Sequence, residues 1–229
     1  MLQQFGREIW TAGGSTVTIA GFDYPTCMII IRLSDGGLFI WSPIAFTSDL
    51  QVAVDRLGTV RHIVAPNTLH HLFMADWQRA YPEAKFHGMP RLRAKRRDLR
   101  WDSDLEDAPA AEWSGDIDQV IVRGTWIPEA VFFHRQSRTA IFTDLIQHFE
   151  PEWVRGWRAL VARLDFLTAS KPTVPRKFRV SFYDRSLARA ALQRILAWPT
   201  EAVLAAHSPP ITEDSREAIA HAFGWLLRR

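Results

Sequence analysis

Residues 60–90 read VRHIVAPNTLHHLFMADWQRAYPEAKFHGMP. Residues 62–65 have the apolar character of a buried strand, and Pro66-Asn67-Thr68 breaks it. From 70 to 81 the apolar residues Leu72, Phe73, Trp77 and Tyr81 recur at helical spacing, and Pro82 ends the run. Residues 84–87 form the next strand. The stretch is therefore strand, polar loop, helix, strand, with His70-His71 where the loop becomes the helix.

Upstream, residues 7–10, 17–19 and 28–33 are short β-type segments. Ser34-Asp35-Gly36-Gly37 is a hairpin turn, because glycine tolerates the positive φ a tight turn needs. A strand over 38–41 returns, and Thr47 or Ser48 caps a helix that Gly58 stops. Downstream, the basic run RLRAKRRDLR at 91–100 precedes an acidic stretch at 102–112, which predicts a solvated surface excursion that neutralises itself. A second set of strands covers 116–122, 130–133 and 139–142. Helices over 151–166 and 184–197 follow, then a buried strand at 202–206 with a polar exit, His207-Ser208-Pro209-Pro210. Asp214 and Glu217 form a capping-box-like start to a final helix. The two halves share one plan, antiparallel strands and then helices, and the chain is expected to be one domain over 1–229.

The composition excludes several classes. Of 229 residues, 47% are hydrophobic and 23% charged, which suits a globular chain with a sizeable core. The net charge of +3 argues only weakly for a nucleic-acid partner. A single cysteine, Cys27, cannot form an internal disulfide and reads as a small core residue. The start MLQQFGREIW lacks the pattern of a secretory leader, and apolar runs fall far short of the ~20 residues of a membrane helix. These features predict a soluble, cytoplasmic protein without a membrane partner.

Three strands end in groups suited to chemistry: 65 into Asn67, His70 and His71; 142 into Asp144; 206 into His207. Imidazole and carboxylate on loops at strand ends are the usual makings of a metal site. Such loops are also where open α/β sheets bind ligands. Each residue alone has a plainer reading. A lone Asp caps a turn, and the His70-His71 pair can cap the helix. His134 reads as a strand-end histidine on an exposed edge, and His62, His87, His148 and His221 as surface or packing residues. Trp126, Trp153 and Trp157 suit an aromatic cleft, although the helical spacing of Trp153 and Trp157 also fits a core.

The order of these elements resembles the metallo-β-lactamase superfold. The closest resemblance is to an uncharacterised branch of it, a domain of unknown function, through RLSDGGLFIWSPI, HIVAPNTLHHLF, VFFHRQSRTAIFTDLI and AAHSPP. The resemblance implies an α/β, four-layer αββα sandwich, two mixed sheets with helices outside. It implies a metal loop written His-x-His-x-Asp-His. Aligned on its end, His71 takes the place of the last histidine and His70 that of the aspartate. Thr68 and Pro66 replace the first two histidines, and Gly124-Thr125 stands where a Gly-His is expected. Asp144 matches the bridging aspartate and His207 the final histidine. The implied metal set is thus His70, His71, Asp144 and His207, holding one Zn or Fe ion or none. His70 and Asp144 are the implied catalytic residues of a hydrolase with a reduced, single-metal site. The alternative is an inactive member that binds a small molecule or a partner in the same cleft. A third reading, a nucleic-acid-processing hydrolase using 91–100, predicts salt-sensitive binding.

Overall fold

The computed structural model describes residues 2–19 and 21–227. A seven-stranded sheet carries, in spatial order, β1 (Leu2–Gly6), β2 (Ile9–Gly13), β5 (Cys27–Arg32), β6 (Gly37–Trp41), β7 (Thr59–Ala65), β8 (Lys85–Gly88) and β9 (Ser103–Asp104). A five-stranded sheet carries β10 (Ile117–Val122), β11 (Glu129–His134), β12 (Thr139–Phe142), β13 (Ala202–Ala205) and β14 (Ser208–Ile211). The hairpin of β3 (Val17–Ile19) and β4 (Phe22–Tyr24) stands apart from both.

Both sheets are mixed. β6, β7, β8 and β9 pair in parallel, as do β12 and β13, and the remaining pairs are antiparallel. The central strands read as continuous apolar runs because both of their faces are covered. On β5 and β6, Ile29, Ile31, Phe39 and Trp41 face the other sheet, where they meet Ile121, Phe132, Ile141 and Leu204. Their neighbours Met28, Ile30, Leu38 and Ile40 point the opposite way. There they bury Val54 of α1 (Ser48–Asp55), Met74 and Trp77 of α2 (Met74–Ala80), and Leu92 of α3 (Pro90–Lys95). The second sheet has its own outer layer. α6 (Arg185–Leu196) lays Ala188, Ala191, Leu192 and Ile195 on it, and Ile219 of α7 (Ser215–Ala222) and Leu226 of α8 (Gly224–Leu227) complete the cover. The layers are helix, sheet, sheet, helix. Among the described residues no helix is long and apolar enough to cross a membrane.

Several local expectations need correction. Arg7 and Glu8 form a turn between β1 and β2, not the start of a strand. The helix expected over 70–81 begins only at Met74, because Asn67 Oδ1 accepts the N–H groups of Leu69 and His70 and folds the preceding residues into a turn. The helix expected over 151–166 is a short 3₁₀ turn, Pro151–Trp153, and a separate α4 (Trp157–Leu164) divided from it by Gly156 at φ 60°. A further short helix, α5 (Arg176–Arg179), precedes α6. Asp214 adopts a left-handed conformation and makes no side-chain cap. The exit after His207 is the edge strand β14, where its two prolines are tolerated.

The 91–112 excursion is not a solvated insert. It forms α3 and β9 and buries Leu92, Leu99, Trp101 and Leu105. Just beyond it, Trp113 packs edge-on against His62 and His87 at ring distances of 5.1 and 4.8 Å. Three arginines of the excursion turn to nearby acids: Arg93 to Asp104, Arg96 to Asp98, Arg100 to Asp102.

His62, His87 and His134 are buried. His87 bonds Ser103 Oγ at 2.7 Å and His62 at 3.1 Å. His134 is no edge residue and bonds Ser137 Oγ at 2.7 Å. Burial pushes both His87 and His134 from 6.5 down to about 4. A depressed histidine pKa means that the unfolded chain binds the proton first, so stability is full above 6.5 and is lost as pH falls toward 4. The urea midpoint is expected to drop across that window. Denaturation of His87→Gln and His134→Gln at several pH values should show a flatter dependence in each.

Candidate metal centre

The parallel pairs set the site. Because β6 and β7 run together, and β12 and β13 likewise, their carboxyl ends deliver Ser42, the 66–73 loop, the 143–147 loop and His207. Asn67, fully buried, ties the two sheets together. Its Nδ2 donates to Thr143 Oγ1 at 3.0 Å and to Asp144 Oδ2 at 2.7 Å. Alongside, Ala130 N donates to Pro66 O at 2.9 Å.

Three of the expected ligands converge. One ligating atom from each of His70, Asp144 and His207 lies within 4.8 Å of the others. His70 Nε2 is 3.4 Å from Asp144 Oδ2, and His207 Nε2 is 3.5 Å from Asp144 Oδ1. All three side chains are largely buried. The fourth, His71, lies outside this cluster. Its Nδ1 accepts from Arg96 Nη1 at 2.9 Å, and its carbonyl accepts from the same group at 3.2 Å. Burial and the cations Lys95 and Arg96 push His71 down to about 4. So the loop offers His70, not His71, because the Asn67 turn sends the first imidazole inward.

The outer ring atoms fix what the inner ones can do. His207 Nδ1 lies 2.6 Å from Pro25 O. A carbonyl only accepts, so Nδ1 carries the proton, and in the neutral ring Nε2 is a lone pair aimed at a carboxylate. His70 Nδ1 sits 2.7 Å from Ser42 Oγ, a partner that can accept in the same way. The His207 lone pair facing an anion calls for a positive charge between them, whereas His70 Nε2 is a lone pair when Ser42 Oγ accepts and an N–H donor to Asp144 when Ser42 Oγ donates. The donor set suits a metal. Two neutral imidazoles and one carboxylate are ligands of Zn²⁺ and of Fe²⁺, and each ring is held through its second nitrogen. His70 Nε2 and His207 Nε2 approach opposite oxygens of Asp144, so the three side chains would hold an ion between the two rings and the carboxylate. Three protein donors are the usual complement of a metal site that keeps a position open.

Asp144 is held from every side. Gln147 Nε2 donates to its Oδ1 at 3.0 Å. Burial raises its pKa, but the imidazoles of His70 and His207 outweigh burial and hold the carboxyl well below its usual range. Beneath it lies Glu129, which sequence reasoning missed. Glu129 is buried on β11, and its carboxylate accepts the N–H groups of Thr143, Asp144 and Leu145 at 2.7, 2.8 and 3.1 Å. Burial and the adjacent Asp144 push it up to about 7, against those hydrogen bonds. Its sequence signal was a lone acid beginning the apolar run AVFF. Ser42 was also missed; its φ of 50° marks it out only in the structure. Thr125, where a histidine was expected, pairs with Ser181 Oγ at 2.6 Å.

A cavity of about 740 Å³ opens above the cluster, and Ser42, His70, Asp144 and His207 line it. Cys27 also lines it and is half-buried, so it belongs to the cavity wall, and burial raises its thiol to about 11. Trp126, Trp153 and Trp157 are neither core nor lining; all three are substantially exposed.

The family model described as Domain of unknown function (DUF4336) matches residues 7–157. The chain belongs to this family. The matched region of this DUF4336 chain holds Ser42, His70 and Asp144, and His207 lies beyond it. No curated protein matches the sequence. Among solved structures, a metallo-beta-lactamase from Pontibacter korlensis aligns with a TM-score of 0.68 at 13% identity, covering 100% of this chain and 99% of that one. One from Hirschia baltica aligns with a TM-score of 0.64 at 12% identity, covering 97% and 96%. A Pseudomonas aeruginosa metallo-beta-lactamase, in its mono-zinc form, gives 0.65 at 10% identity, covering 100% and 96%. At these identities the likeness shows the fold: the DUF4336 chain is an αββα sandwich of metallo-β-lactamase type.

The three bonds to Glu129 yield a direct test. In Glu129→Gln one oxygen is replaced by an NH₂ group that faces backbone N–H donors. Each buried donor left unpaired costs about 1–3 kcal/mol. Urea denaturation should show a loss of that order while the far-UV circular dichroism stays native.

Proposed function

We propose that this chain is a metal-dependent hydrolase with a reduced, single-metal site formed by His70, Asp144 and His207. The observation that carries the reading is the His207 Nδ1–H bond to Pro25 O, which leaves Nε2 as a lone pair facing Asp144. Zinc or iron suits the donor set. When bound, such an ion acidifies a water and polarises a carbonyl or phosphoryl oxygen.

The protein's own part is to hold and to exclude. Pro25 and Ser42 orient the two rings, Asn67 and Gln147 orient the carboxylate, and Glu129 fixes the loop that carries it. The walls of the open cavity are largely apolar, so a ligand that fills it displaces water from above the cluster and strengthens the charge interactions there. Asp144 supplies the anion that balances a cation at the cluster.

Ser42, His70 and Asp144 also line up as hydroxyl, imidazole and carboxylate, the order of a serine relay. Two features speak for an orienting role instead. Pro43 follows Ser42 and has no N–H to place in an oxyanion hole, and Ser42 N is already bonded to Val64 O at 2.9 Å.

Elemental analysis after metal reloading tests the proposal. One equivalent of zinc or iron is expected in the native protein and in His71→Ala, and none in Asp144→Ala or His207→Ala. Ser42→Ala should weaken metal affinity by roughly 10–100-fold, as loss of an outer partner of a ligating histidine does. No metal in the native protein would favour an inactive member that binds a ligand in the same cleft.

A further inference from the structure

The cavity above the cluster differs in character along its length. Its floor is polar and buried, being the His70, Asp144 and His207 cluster. Its walls are hydrocarbon. The β3–β4 hairpin contributes Val17, Ile19 and Phe22, and α4 faces it with Val161 and Leu164. Ile19 and Leu164 remain 51% and 56% exposed, and Leu72 beside them 51%. Apolar side chains that line one cavity yet stand half in water mark a binding site whose ligand covers them.

The mouth is cationic. Arg176 and Lys177 line the cavity and are exposed. Lys177 already has partners: its Nζ bonds Tyr24 Oη at 2.7 Å and lies 3.6 Å from Asp165 Oδ2. Arg176 stacks over the Phe166 ring, and among the described residues no carboxylate lies within ion-pair distance of it. One positive charge at the opening is therefore uncompensated.

We propose that the cavity takes an anionic amphiphile, with its hydrocarbon body between the β3–β4 hairpin and α4 and its anionic group against Arg176. This deepens the hydrolase reading and rests on it for the floor, where the bond to be cleaved would lie at the far end of the hydrocarbon body. The cavity volume of about 740 Å³ falls in the range that encloses a drug-sized molecule. The apolar walls give affinity through chain length, and Arg176 gives the preference for a negative charge.

Calorimetric titration of the full chain, stripped of metal with a chelator, tests this apart from any hydrolysis. The ligands are octanoate, decanoate and dodecanoate, each below its micelle-forming concentration, with dodecanol and dodecylammonium as charge controls. Affinity is expected to rise about fourfold per methylene, the ratio that ~0.8 kcal/mol per buried CH₂ corresponds to. Dodecanoate should bind more tightly than dodecanol, and dodecylammonium least. Leu164→Asp and Ile19→Asp, both at solvent-exposed positions, should flatten the chain-length dependence. Arg176→Gln should erase the preference for carboxylate over alcohol and keep that for length. Equal binding of the three carboxylates, or binding of dodecylammonium as tight as that of dodecanoate, overturns the proposal. Metal-free protein gives these results whether or not the cluster binds zinc, so the two readings fail separately.

Discussion

The Asn67 side chain holds two sheets, one loop and one carboxylate in a single arrangement. Its oxygen takes the N–H groups of Leu69 and His70, and its nitrogen reaches across to Thr143 and Asp144. No water is needed for either end, because an amide offers two acceptor sites and two donors and this one uses all of them at full burial. The residue therefore decides which histidine of the pair turns inward. It also sets how far the carboxyl ends of the two sheets lie from one another. A hydrophobic side chain of the same size would pack there without joining anything.

Charge is the second constraint. Asp144 and Glu129 are both buried, and each raises the cost of the other's ionisation. Backbone N–H groups stabilise Glu129, so its charge is met by dipoles alone. Asp144 is met by two imidazoles and two amides. That difference in partners separates a carboxylate that builds the loop from one that faces the cavity.

Much of this was legible in the sequence, for definite reasons. Period and breakers gave the strands and most helices, since a strand buried on both faces is a continuous apolar run wherever it occurs. Three polar groups at three strand ends located the floor of the cavity, and the parallel pairing brought them together. Other parts were not legible. Nothing in HH at 70–71 says which ring turns inward, since that depends on an Asx turn. Glu129 looks like a strand end until its three N–H partners are seen. The alternating charge of 91–112 suggested a solvated surface, but the decisive residues there were Leu99, Trp101 and Leu105, whose burial depends on sheet contacts that no local pattern encodes.

The position of β13 has a consequence for biosynthesis. It is inserted between β12 and β14, and only β14 follows it in chain order among the strands of either sheet. A ribosome releases residues in order, and domains tend to acquire structure as they emerge. Until residues 202–205 arrive, the apolar strand β12 is an open sheet edge, with unpaired backbone groups and a template for another chain. The same strand brings His207. Completion of the cluster and closure of that edge are therefore one event, and a chain stalled before it is both siteless and prone to associate.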